Sequence, residues 1–146
     1  NKYFDDESQN STNPSSSFPT ADRITPDWID TLAPNEVFVF GSNIAGNHNG
    51  GAAQLALNRF GAVMGQAEGP QGQSYAIPVD GIDVRKVYEA VTRFIDYAKF
   101  HPQQTFLVIP IGCGAAQGHP SLMAKFFDSA INVPNIKLPK LFWNYL

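Results

Sequence analysis

Cysteine is nearly absent: Cys113 is the only one in 146 residues. An intrachain disulfide is therefore excluded, as is a cysteine-rich zinc site. The three histidines show no HxH or HExxH spacing, so no metal is expected. No apolar run approaches the ~18 residues of a membrane-crossing helix. Residues 1–22 lack the basic start and apolar centre of a signal peptide. A cytoplasmic protein with no membrane partner is the expectation. Positive charge is also scarce, with 10 Lys and Arg against 13 Asp and Glu. There is no basic stripe, which argues against a nucleic-acid partner held through phosphates. What remains is 43% hydrophobic and 16% charged, enough for one core at this length. Such a domain buries roughly two-thirds of its unfolded surface without needing a staple.

Charge and glycine are unevenly distributed. Residues 1–22 are rich in Ser, Asn and Pro and hold Lys2 against Asp5, Asp6, Glu7 and Asp22. They carry the whole net charge of −3 and read as a tail or linker. Residues 23–146 read as one domain, with folding expected from about Ile24. All twelve glycines lie in this second part.

The hydrophobic pattern gives an alternating order. Glu36–Gly41 (EVFVFG) is a run suited to a strand buried on both faces, as in a parallel sheet. Residues 50–60 read as a helix opened by small residues. Ser74–Pro78 reads as a short strand closed by proline. Across residues 83–100, Val84, Val87, Tyr88, Val91, Phe94, Ile95 and Ala98 recur at helical spacing behind Asp83, a plausible N-cap. Thr105–Ile111 is a second doubly buried strand, and Pro110 suggests an edge position or a bulge near its end. Residues 120–131 form a helix opened by Pro120. Lys137–Tyr145 reads as a strand or extended tail. This alternation predicts an α/β protein: a mostly parallel sheet in a three-layer α/β/α arrangement with right-handed crossovers. Ligands in such folds sit beyond the C-terminal strand ends.

Two glycine-rich loops fall at those ends. The first runs from Gly41 through Ser42, Asn43, Gly46 and His48 to Gly50 and Gly51. It leads from a buried strand into a helix whose first turn has little side-chain bulk. The free amides of a helix start and its dipole attract anions. No Gly-Lys-Ser/Thr follows, so this is not a P-loop, nor does it match GxGxxG. The alternative is that these glycines only make turns and close helix–sheet packing, against which five polar side chains, Ser42, Asn43, Asn47, His48 and Asn49, share the segment. The second loop contains Gly112, Cys113, Gly114 and Gly118. Two such loops at adjacent strand ends are suited to gripping a diphosphate from both sides.

These same segments carry a resemblance. EVFVFGSNIAGNHNGGAAQLA resembles the strand, Asn-bearing turn and glycine-rich helix start of the macro domain. FLVIPIGCGAAQGHPSLMA is similar to that family's later strand, glycine-rich loop and helix, and SYAIPV to the short strand between them. The order FVFGSN-x-x-G-x-H-x-x-G-A-A with a later IGCG is closest to small bacterial and phage proteins of the macro-like superfamily. The resemblance covers roughly Asn35 to Tyr145. It implies a small-molecule nucleotide ligand, ADP-ribose or a derivative, and no separate cofactor. It also implies hydrolysis of an ADP-ribosyl linkage, or recognition alone. Asn43 would meet the distal ribose, Gly50 and Gly51 would match the glycine-rich helix start, and Gly112, Gly114 and Gly118 would line the second phosphate loop. Ala52 and Ala53 stand where hydrolytic members carry an acidic residue, and the family's early adenine-reading acid has no clear match.

The remaining candidates have two readings each. His48, between Asn47 and Asn49, is expected to be accessible and suited to ligand contact or acid–base work. Cys113 is either an activated thiol or an inert buried one. His119 and His101 read as helix-end residues. Asp80-Gly81 reads as a turn, and Glu68 sits in a loop, Gln66–Gly72, that can approach the cleft. Phe142, Trp143 and Tyr145 fit a base-stacking element, a core, or the surface of a protein-interaction module.

Overall fold

Side chains alternate between the two faces of a strand, and β1 (Glu36–Asn43) is apolar on both. Val37 and Val39 point into one hydrophobic cluster, Phe38 and Phe40 into another. This strand therefore needs helical cover on each side, and the rest of the chain provides it. The structure is a computed structural model that describes residues 19–112 and 119–146.

After β1 come α1 (Gly51–Arg59), β2 (Gly69–Gln71), β3 (Ser74–Asp80), α2 (Val84–Lys99) and β4 (Thr105–Val108). Then follow α3 (Pro120–Phe126), β5 (Ile136–Lys137) and α4 (Lys140–Trp143). The five strands lie in the order β2-β3-β1-β4-β5. All neighbours are parallel except β2 and β3. Ala53, Ala56 and Phe60 at α1 cover Phe38, Phe40 and Ala76. On the other face, α2 presents Val87, Val91, Phe94 and Ala98, and the end of the chain presents Phe127 and Phe142, to the larger cluster. The fold is α/β, with helical residues on both faces of a mostly parallel sheet.

The expected order holds, with five differences. The helix expected over residues 120–131 ends at Phe126, and a 3-10 turn follows at Asp128–Asn132. The span 66–72 contains a strand, β2, whose Gly69–Gln71 pairs antiparallel with β3; three residues with Gly and Pro leave no alternation to read. Pro78 lies inside β3 rather than closing it. β4 is interior, between β1 and β5, and ends at Val108 before Pro110 can remove a ladder donor. The expected C-terminal strand is two residues long and gives way to α4. On α2, Val84 and Tyr88 share the periodic pattern but are 55% and 52% exposed, and the Tyr88 ring lies 5.8 Å from that of Phe126. Asp83 caps that helix, accepting from the Arg85 amide at 2.8 Å.

The segment before β1 is bound to the far side of the sheet. The Arg23 guanidinium donates to the carbonyls of Ile136 (2.9 Å), Ile131 (3.1 Å) and Ala130 (2.9 Å). Burial lowers its pKa, and the indole of Trp143 lies 5.6 Å away. Thr25, fully buried, donates from Oγ1 to the Val108 carbonyl at 2.7 Å.

Connectivity determines where a crevice opens. From β1 the chain passes through α1 to β3 on one side. From β3 it returns through α2 to β4, on the opposite side of β1, and continues through α3 to β5. Crossovers leaving β1 and β4 thus diverge. The gap beyond the C-terminal ends of these two strands is a topological switch point, where open α/β sheets take ligands.

Candidate functional site

A cavity of about 410 Å³ lies at that switch point. The loop after β1 lines it with Gly41, Ser42, Asn43, Asn47 and Asn49, and the start of α1 with Gly50, Gly51, Ala52 and Ala53. The segment after β4 closes it with Ile109 to Gly112, and the end of β3 adds Val79 and Asp80. The first loop and the beginning of the second therefore face one hollow. Cys113, Gly114 and Gly118 lie outside the described residues.

Local chemistry explains the shape of the first loop. The Asn43 side chain folds over it: Oδ1 accepts from the Asn47 amide at 2.9 Å and Nδ2 donates to the Asn47 carbonyl at 3.1 Å. The Asn47 side chain accepts from the Asn49 amide at 3.0 Å. Gly46 turns the loop with φ +68, and a Cβ there would sit 2.5 Å from the Gly65 backbone. Only glycine fits. At Gly112, with φ +78, a Cβ would meet Met123 at 2.9 Å. Gly50 is the N-cap of α1 and offers no side-chain bond. The first amide bonded back into the helix start is that of Gln54, to the Gly50 carbonyl at 3.2 Å. Among the described residues nothing caps the amides of Gly51, Ala52 and Ala53, so this end of the cavity carries unpaired donors and positive dipole.

Several expected site residues do other work. His48 is not accessible; it is fully buried. Its ring lies edge-on to Phe40 at 5.2 Å, and Nε2 stands 3.1 Å from the Gln66 carbonyl and 3.3 Å from Gln71 Oε1. Its Nδ1 has no hydrogen-bond partner among the described residues. Flanking asparagines suggested a solvated loop, and Asn47 and Asn49 are exposed, but the His48 ring between them turns into the core. Gly46 is buried against Gly65 and does not line the cavity. Ser42 reaches the wall, but its hydroxyl turns away to the Ala67 carbonyl. Glu68 is held away by Arg93 in a two-pronged pair at 2.6 and 2.9 Å. His119 caps α3, accepting from the Ser121 amide at 3.2 Å. His101 stacks on Tyr97 with ring centres 3.9 Å apart.

The C-terminal aromatics are not a free surface. Phe142 is fully buried beside Phe127, and the Trp143 indole donates to the Arg23 carbonyl at 3.0 Å. Tyr145 alone is well exposed.

A second hollow of about 420 Å³ adjoins the first, sharing Ala52, Ile109 and Pro110 with it. Its walls include Phe38, Leu55 and Pro139, and its rim carries Asp27, Trp28, Asp30 and Arg59. Trp28 is 81% exposed. Sequence reasoning missed this hollow, because residues 25–30 show no period and join it only through the tertiary bonds of Arg23 and Thr25.

No protein-family model matches the chain, and no significant similarity to a curated protein or a solved structure was found. Among the described residues, no helix is long and apolar enough to cross a membrane, and no cluster of metal-ligating side chains occurs.

Proposed function

We propose that the paired hollows bind a nucleoside diphosphate sugar of the ADP-ribose type. The observation that carries this reading is the set of uncapped α1 amides facing a cavity at the switch point. A phosphate there takes up donors that nothing else in the described protein uses. The adjoining apolar hollow suits a base, with Trp28 as a stacking plane. Asp27 and Asp30 stand at its rim as acceptors for an exocyclic amine. The similarity of FVFGSN and IGCG to macro domains points to the same ligand class, and the macro-type fold is part of this proposal. The reading is one of binding, since His48, the acid–base candidate of the first loop, lies in the core.

Calorimetric titration of the full chain with ADP-ribose tests it. Saturable heat is expected. Absence of heat at millimolar ligand, with the chain shown to be folded, overturns the proposal.

A further inference from the structure

The cavity beside α1 has one charged wall residue among the described ones, and it is acidic. Asp80 ends β3, is exposed, and lines the cavity. It pairs in register with Asn43, where β3 carries one extra residue, Val79. The other polar groups nearby are largely engaged. Ser42 donates to Ala67, Asn43 braces Asn47, and Asn47 braces the Asn49 amide. The Asp80 carboxylate has no hydrogen-bond or ion-pair partner among the described residues. It shares this with Asp27, Asp30, Glu89, Asp96 and Asp128, none of which lines this cavity, whereas Asp83 caps α2 and Glu68 pairs with Arg93. No Lys or Arg lines this cavity among the described residues.

The geometry points to Asp80 as the residue that selects the terminal group of the ligand: a neutral vicinal diol, and not a terminal phosphate. This rests on the binding reading above. An ionised carboxylate only accepts hydrogen bonds, and its two oxygens can take two hydroxyl donors together. A cis-diol such as a distal ribose supplies them. A terminal phosphate in the same place offers acceptors and negative charge to an acceptor of like charge, with no cation in the described wall to offset it. The cavity therefore has a polarity: phosphate at the α1 amides, hydroxyls at Asp80.

The test compares ADP-ribose with ADP, which lacks the distal sugar, on the wild-type chain and on Asp80→Asn. Wild type is expected to bind ADP-ribose at least about tenfold more tightly than ADP, the scale of hydrogen bonds to a charged group. In Asp80→Asn the preference should shrink to about threefold or less, with ADP binding unchanged or tighter. Asp80→Ser serves as a second variant, and thermal melting checks that each folds. An unchanged preference in both folded variants, or a wild type that favours ADP, overturns the role of Asp80 while leaving nucleotide binding standing. A wild type that binds neither compound removes the binding reading and this inference with it.

Discussion

Tyr75 shows how one buried group ties stability to pH. It lies in β3 beneath Phe94 and Tyr97, with ring centres 5.0 and 5.2 Å away. Burial, and secondarily the Glu68 carboxylate, pushes its phenol from 10.0 up to about 12. The folded chain thus holds this proton more tightly than the unfolded chain. Its contribution is complete below pH 10.0 and is lost as pH rises through about 12. Denaturant midpoints are expected to fall across that interval, and Tyr75→Phe should flatten the fall. An equally steep decline in the variant would show that other groups govern it. His48 teaches the opposite lesson about single residues. Its neighbours in sequence are polar, yet its neighbours in space are Phe40, Met64, Gln66 and Gln71. Local composition reports the exposure of Asn47 and Asn49 but not that of the ring between them.

At the scale of elements, α1 separates stability from binding. Gly50 has an extended backbone, φ −148, and open space where a Cβ would go. Aspartate there gains an N-cap bond, worth only a few tenths of a kcal/mol over glycine. It also sets a carboxylate over the amides that the proposed phosphate needs. Gly50→Asp is expected to melt at or slightly above the wild-type temperature while ADP-ribose binding falls by at least about tenfold. A variant that binds normally would place the anion elsewhere. Elements with a strong period or a complete run were legible from sequence. β1 and β4 declared themselves by unbroken apolar character, and α2 by spacing and its Asp83 cap. β2, β5 and α4 were not, since two to four residues cannot display a period. Asp80 was read as part of a turn, but it is the last residue of β3 and the turn begins at Gly81. Its place opposite Asn43 needed the strand register.

For the whole molecule, the larger cluster is closed by residues from the far end of the described chain. Phe142 packs on Phe127 with ring centres 5.5 Å apart and has no exposed surface. Removing a buried phenyl ring typically costs about 3–5 kcal/mol. Phe142→Ala should therefore lower unfolding free energy on that scale, measured by urea denaturation. A loss below about 1 kcal/mol would mean that α4 is peripheral. The site was legible to the extent that loop position follows from a parallel sheet: Gly41, Asn43, Gly50, Gly51 and Gly112 line one cavity. The apolar hollow beside it was not, because segment 25–30 is held by Thr25 on β4 and by Arg23 on the chain around β5, contacts that no local pattern announces. The strand order carries one more consequence. The sheet terminates in strands of three and two residues, β2 and β5. So short a row of unpaired peptide groups gives a foreign strand almost nothing to template on, and the domain's flanks are thereby guarded against edge-to-edge aggregation.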